Sequence, residues 1–100
     1  MKTLQMQSCV HENATVECAL VEITVPEPEP DQVVVAIDAA PINPSDLGLM
    51  FGAADLSSAR AADRDGQPAL ILDVPPAAMR AMAPRIGHWM PVGNEGSGRV

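Results

Sequence analysis

Alternation of apolar and polar residues predicts strands in the first quarter of the chain. Residues 1–10 alternate weakly and are predicted as a first strand, followed by a turn at His11-Glu12-Asn13. From Val16 to Leu20 the alternation is clear, with Glu17 on the face opposite the apolar residues. The apolar phase then shifts by one residue at Leu20-Val21, which predicts a β-bulge inside the second strand.

The longest apolar run follows a proline-rich stretch. Residues 26–31, including the acidic Glu27 to Asp31, contain three prolines at alternate positions, which removes three amide donors. An extended, solvated loop within one domain is favoured over a flexible linker, because strands are predicted on both sides of it. Gln32 to Ala39 is then predicted as a central strand, since Val33 to Ile37 is apolar on both faces.

A strand-to-helix turn is predicted at Pro41 to Asp46. Asn43 suits the N-cap, and Pro44 suits the first helical position, where its missing N–H costs nothing. Asp46 lies three residues after the cap, where its carboxylate can accept the N-cap amide. A short helix is predicted over Leu47 to Phe51. Such a turn places Asn43 and Ser45 at the end of a strand.

Residues 53–90 give mixed signals and are predicted to be an insertion within the single domain. Alanine-rich residues 53–62 suit a short helix, residues 63–66 a turn and residues 69–74 a strand. Pro75-Pro76 opens a predicted helix over Ala77 to Met82. In that helix Met79 and Met82 are assigned to the core rather than to cofactor binding.

The chain ends in the glycine-rich segment Pro91 to Val100, which has the spacing G-x-x-G-x-G. It differs from the dinucleotide fingerprint G-x-G-x-x-G and lacks the strand-then-helix context that a fingerprint needs. A strand that begins at Val100 predicts that the chain is an incomplete piece of a longer protein.

Composition and charge restrict the class of protein further. The 100 residues are 47% apolar, enough for one small domain, and the net charge is −7. Lys and Arg are absent between Thr3 and Ala59, which argues against nucleic acid or an anionic membrane as a partner. Cys9 and Cys18 lack metal-ligand spacing and are predicted to be reduced thiols. With no secretory signal and no apolar run long enough to span a membrane, a cytoplasmic location is predicted.

Two segments together resemble one known family. VVVAIDAAPINPSD, from Val33 to Asp46, and PVGNEGSGRV, from Pro91 to Val100, resemble the N-terminal domain of medium-chain dehydrogenases/reductases. They look most like the quinone oxidoreductases and 2-enoyl thioester reductases of that family, which contain no zinc. The resemblance implies a mainly β fold with short helices, a GroES-like, partly open β-barrel. It also implies a nicotinamide cofactor, NADP or NAD, bound mainly by a separate Rossmann domain, and a homodimer in the full-length protein.

The resemblance also suggests how the site works. Asn43 and Asn94 match positions where zinc alcohol dehydrogenases have Cys and His ligands, and an amide is a poor zinc ligand, so no metal is expected. Ser45 matches a hydroxyl that relays protons. The enoyl thioester reductases have a catalytic Tyr near Ala53-Ala54, and this chain has no Tyr, which weighs against that subgroup.

For each candidate site residue, a purely structural role is the alternative to a functional one. Asn43 either hydrogen-bonds the substrate carbonyl or nicotinamide ribose, or only caps the helix. Ser45 is either a proton relay or a solvated residue of the first turn. The remaining motif residues are assigned to the turns: Pro44, Asp46, Gly93, Asn94, Glu95 and Gly96. His88 and Trp89 either line the mouth of a cleft or serve packing.

The sequence thus predicts the substrate-side domain of a zinc-independent NAD(P)H-dependent oxidoreductase. The expected reaction is hydride transfer to a quinone or an activated C=C bond. These residues alone are expected to lack activity. One alternative is a non-catalytic GroES-like binding or assembly module, and another is an unrelated fold in which the two motifs match by chance.

Overall fold

The computed structural model describes all 100 residues as mainly β structure with short helices. The main element is an antiparallel five-stranded sheet in the order β4-β5-β2-β1-β6, which does not close on itself. A separate antiparallel pair joins β3 to β7. The strands are β1 (Lys2–His11), β2 (Thr15–Thr24), β3 (Ala36–Ala39), β4 (Arg60–Arg64), β5 (Gln67–Asp73), β6 (Met90–Pro91) and β7 (Ser97–Arg99). The helices are α1 (Pro44–Phe51) and α2 (Pro76–Met82), with 3₁₀ turns at Leu56–Ser58 and Ala83–Arg85.

The β1–β2 hairpin contains the two longest strands and has no bulge. Its register runs without interruption from Lys2 opposite Thr24 to His11 opposite Thr15, so the bulge predicted at Leu20-Val21 is wrong. The apolar phase shifts for another reason. The first half of β2 is buried on both faces, while its second half is only partly covered. The shift therefore records a change in burial along a regular strand.

The predicted central strand at Gln32–Ala39 is also wrong. Only Ala36–Ala39 forms a strand, it pairs with β7 alone, and all four residues are exposed. Val33 and Ile37 keep 65% and 60% of their surface exposed. The reason is competition for edges, because β1 and β5 occupy both edges of β2, and β2 and β6 occupy both edges of β1. No central position remains for the apolar run.

Residues 53–90 contribute two strands to the main sheet. The alanine-rich stretch predicted as a helix holds only the 3₁₀ turn and then β4, which pairs with β5 along five residues. Asp65 and Gly66 connect the two strands with φ angles of 53° and 82°, as a type I′ hairpin turn requires. The Asp-Gly dipeptide is a hairpin signal in the sequence. Cross-strand pairing thus outweighs the helix propensity of alanine.

The core lies between the sheet and α2. Val10, Val16, Val74 and Met82 form one buried cluster, and Met79 packs against it. The core assignment of both methionines is thus confirmed, as is a helix that begins after Pro75. Because half of this cluster comes from residues 53–90, that segment is part of the domain's hydrophobic core. Whether it is an insertion relative to other proteins stays a prediction.

Candidate functional site

The turn before α1 has the predicted cap geometry. Asn43 is the N-cap in an extended conformation, and Pro44 is the first helical residue. The backbone N–H of Asn43 donates to the Asp46 carboxylate at 2.8 Å, which completes this half of a capping box. Asp46 is 4% exposed, so its carboxylate is committed to this turn rather than to solvent. Asn43 is half-buried and Ser45 is exposed at the surface.

The opposite end of α1 is tied to the rest of the domain. Ser8, buried in β1, donates its hydroxyl to the Met50 carbonyl at 2.8 Å. Arg85 donates to the carbonyls of Gly48 and Leu49 at 3.2 and 2.6 Å. The Leu49 carbonyl lies in the last turn, where backbone acceptors lack helical partners. The Gly48 carbonyl already accepts from the Gly52 N–H at 2.9 Å, so Arg85 adds a second donor there. The helix is therefore held in place relative to β1, and its N-terminal turn is positioned with it.

The fold brings the two sequence motifs together. Strand β3, from the first motif, pairs with β7, from the second, with Ile37 opposite Gly98. The glycine segment also approaches the α1 turn, because a Cβ on Gly93 would lie 3.9 Å from Oδ2 of Asp46. Gly93 has a φ of +83°, a conformation that favours glycine. The predicted turn residues thus come from two segments that meet at the N-terminus of α1.

The second motif contributes mainly backbone to this meeting point. Gly93, Asn94, Glu95 and Gly96 are all exposed, and none of their side chains makes a hydrogen bond within the chain. A Cβ at Gly96 would lie 3.2 Å from the Ile37 side chain, so this position packs closely on β3. The polar side chains available for chemistry here are those of Asn43, Ser45, Asn94 and Glu95. Their assigned roles stay predictions.

The metal-ligating side chains of the chain are dispersed. No group of three or more His, Cys, Asp or Glu side chains lies close enough to hold a metal ion. Both cysteines are free and buried in the sheet, and burial raises the pKa of each thiol. Their reduced state agrees with the sequence, whereas the absence of zinc in the functional protein stays a prediction.

A second polar cluster lies away from α1, and sequence reasoning missed it. Glu17 in β2 is buried, yet its carboxylate accepts from Arg64 Nε and Nη2 at 2.5 and 2.8 Å. His11 Nε2 lies 2.8 Å from the same carboxylate. The Arg64 hydrogen bond is the main reason why the pKa of Glu17 is lowered. Trp89 stacks under the Arg64 guanidinium at 4.6 Å and meets His11 edge-on.

The sequence carries only a faint signal of this cluster. A glutamate between apolar residues in β2 suits a solvent-facing position equally well, and its partner Arg64 lies 47 residues further on. Trp89 packs against Arg64 and His11 in this cluster and also lines a cavity beside it, so whether it serves packing or the mouth of a cleft stays a prediction. The cluster therefore depends on the pairing of β1, β2, β5 and β4 into one sheet.

Comparison with known proteins does not assign the chain to a family. No protein-family model matches the chain, and no curated protein matches it either. None of its helices, the longest of which has eight residues, is long and apolar enough to cross a membrane.

Proposed function

We propose that this chain is the substrate-side part of a zinc-independent NAD(P)H-dependent oxidoreductase of the medium-chain type, with a GroES-like fold. The observation that carries the proposal is the approach of Gly93 to Asp46 at the N-terminus of α1, where a Cβ on Gly93 would lie 3.9 Å from Asp46 Oδ2. Residues 47–90 separate the two motifs that resemble this family, yet the motifs meet at one turn. Two chance matches would have no reason to lie together.

The proposed reaction is hydride transfer to a quinone or to an activated C=C bond conjugated with a carbonyl. Either reaction places negative charge on a substrate oxygen as the hydride arrives. A side-chain amide N–H at Asn43, next to the positive end of α1, would stabilise that charge. Ser45, exposed in the same turn, would pass a proton to the reduced product. Asp46 holds the turn rather than transferring protons, because it already accepts the Asn43 N–H.

The chain's own residues do not fit the pyrophosphate of a dinucleotide. Such a site needs a glycine turn between a parallel strand and a helix N-terminus, whereas the glycine segment here leads into the antiparallel strand β7. We therefore assign the cofactor, NADP or NAD, to a separate domain, where it supplies the hydride when bound. This chain would contribute only Asn43, as a contact to the nicotinamide ribose.

Asn43 provides the test. The gene is given an N-terminal tag at its own chromosomal position, and the protein is purified and its mass determined by mass spectrometry. Its oxidation of NADPH is then measured with 1,4-benzoquinone and with an enoyl thioester as acceptors. Asn43→Asp retains capping ability but replaces the N–H donor with a negative charge. We expect turnover to fall by roughly a hundred- to a thousand-fold with an unchanged melting temperature.

Matched variants separate capping from catalysis. Asn13→Asp, the same change in the β1–β2 turn, should keep full turnover. An equally active and equally stable Asn43→Asp protein would reduce Asn43 to a helix cap. A native protein that neither oxidises NADPH nor associates with a dinucleotide-binding domain would overturn the enzyme proposal and favour a non-catalytic binding module. Stoichiometric zinc in the purified protein would contradict zinc independence.

A further inference from the structure

A cavity of about 390 Å³ lies beside the Arg64 cluster, at a place that the proposed oxidoreductase function does not use. Leu4, Leu20 and Val21 of the β1–β2 hairpin form its apolar wall. Arg64, Asp65 and Trp89 form much of its polar wall. Half of its eight lining residues are apolar and half are polar, and a recess of this size with converging polar groups lies within the range of small-molecule sites.

Arg64 is held in position before any ligand arrives. Two of its nitrogens, Nε and Nη2, donate to Glu17, whose side chain is only 7% exposed. The guanidinium plane also stacks on Trp89 at 4.6 Å. Nη1 makes no hydrogen bond within the chain, so one donor edge remains available on an immobilised side chain. Immobilising a recognition group in advance lowers the entropic cost of binding.

Asp65 supplies the opposite charge at the tip of the β4–β5 hairpin. Its carboxylate makes no hydrogen bond within the chain, and its backbone is fixed at a φ of 53° by the type I′ turn. The cavity therefore presents a free cationic edge, a free carboxylate and an apolar wall within one small volume. This is the complement of a small zwitterion with an apolar side chain.

The surrounding charges favour a zwitterion over a simple anion. Glu17 neutralises Arg64, and Glu22 at the rim is paired with Lys2 at 3.3 Å. Asp65 then leaves the cavity with a net negative charge when His11 is neutral. A carboxylate alone would be repelled by Asp65, whereas a zwitterion adds no net charge and satisfies both polar groups.

We propose that this cavity binds an apolar α-amino acid. The ligand carboxylate accepts from Nη1 of Arg64, its ammonium donates to Asp65, and its side chain packs against Leu4, Leu20 and Val21. Binding at this place needs neither a nicotinamide cofactor nor the α1 turn, so it stands independently of the proposed oxidoreductase function.

Trp89, the only tryptophan of the chain, reports on the site directly. We expect a saturable change in its fluorescence when the protein is titrated with L-leucine, with a dissociation constant on the order of 1 mM. Two matched ligands each lack one charge: 4-methylpentanoate has no ammonium, and 3-methylbutylamine has no carboxylate. Each should bind at least about ten-fold more weakly, because one charge-assisted hydrogen bond is lost.

Asp65→Asn provides the matched protein variant, since asparagine also tolerates a positive φ but carries no charge. It should weaken L-leucine binding at least about ten-fold. Asp31→Asn, the same change in the proline-rich loop, should bind like the wild type. Circular dichroism confirms that each variant is folded.

The proposal is overturned by any of three results. One is no saturable response to L-leucine up to about 20 mM, well above the expected dissociation constant. Another is equal binding of 4-methylpentanoate, which would indicate an anion site instead. The third is unchanged affinity in a folded Asp65→Asn protein, which would exclude the ammonium contact.

Discussion

Glu17 is the single residue with the largest electrostatic role in the sheet. A carboxylate buried without partners would be strongly destabilising, and this one is satisfied by two hydrogen bonds from Arg64 and by His11. The bidentate geometry is the strong form of an arginine–carboxylate pair. Arg64 in turn is stacked on Trp89, so one buried charge organises three further side chains.

Glu17→Gln tests this role. The amide keeps the shape but loses the charge, so we expect the free energy of unfolding at pH 7 to fall by about 2–3 kcal/mol. That is at or below the lower end of the range of about 3–5 kcal/mol for breaking a buried pair, because Arg64 is partly exposed. Urea denaturation measures the loss. Glu22→Gln is the control, since its partner Lys2 is exposed, and its effect should stay within about 0.5 kcal/mol.

The same pair makes stability depend on pH. The pKa of Glu17 in the folded state lies below its ordinary value of 4.5, because Arg64 favours the ionised form. The stabilisation is therefore complete above about pH 4.5 and is lost as the pH falls through the lowered pKa. The difference between wild type and Glu17→Gln should be largest near pH 7 and shrink below pH 4.5. A difference that is constant from pH 7 to pH 3 would contradict the assignment.

At the scale of elements, the β3–β7 pair decides whether the two motifs stay together. Its three paired positions make it the weakest sheet of the fold, and its register shifts between Ile37 and Ala39. The strands approach so closely at Gly98 that a Cβ there would collide with the Ala36 carbonyl. An ion pair between Arg99 and Asp38 at 3.3 Å adds little, because both side chains are largely exposed to water.

Gly98→Ala should therefore separate β7 from β3. We expect amide hydrogen exchange at Ala36–Ala39 to accelerate at least about ten-fold, since local opening is governed by these few hydrogen bonds. Gly48→Ala is the matched control, because nothing lies within 4 Å of a Cβ at that position. It should instead stabilise α1 by about 0.5–1 kcal/mol. Unchanged exchange in Gly98→Ala would show that the strands can shift without losing their pairing.

At the scale of the molecule, the chain is less compact than a monomeric domain of its mass. Its accessible surface is 6792 Å², whereas about 5,400 Å² is typical for 10.5 kDa. Its radius of gyration is 15.1 Å, against about 13 Å for a compact chain of this length. Only 13 residues are buried, and most of Val33 to Ile37 is in solvent. Stability therefore depends on a small core.

Two apolar truncations test where that core lies. Leu72 is 1% exposed, and we expect Leu72→Ala to lower the free energy of unfolding by about 2–4 kcal/mol, because the lost side chain leaves a cavity. Ile37→Ala should cost less than about 0.5 kcal/mol, since most of its side chain already contacts water. Urea denaturation of the two variants gives both values. Equal losses would indicate that Val33–Ile37 is buried in solution, as the sequence pattern suggests.

Several local features could be predicted because their causes are local. The cap at Asn43, the first-turn Pro44 and the carboxylate of Asp46 act within four residues, so their spacing is sufficient to predict the start of α1. The start of helix α2 is likewise predicted by Pro75-Pro76. The Asp-Gly dipeptide before β5 predicts the hairpin turn, although the alanines that precede it favour a helix. In each case, backbone geometry depends on neighbours along the chain.

Tertiary structure alone decided which apolar segments are inside. The patterns of two apolar segments, Val33 to Ile37 and Val16 to Leu20, are equally suited to the interior of a sheet, yet only the second segment is buried. A strand has two edges, and both edges of β2 are paired, with β1 and with β5. The ion pair of Glu17 with Arg64, and the approach of Gly93 to Asp46, likewise bring together residues about 47 apart. Contacts at such separation depend on how all the strands compete for partners, which no local pattern records.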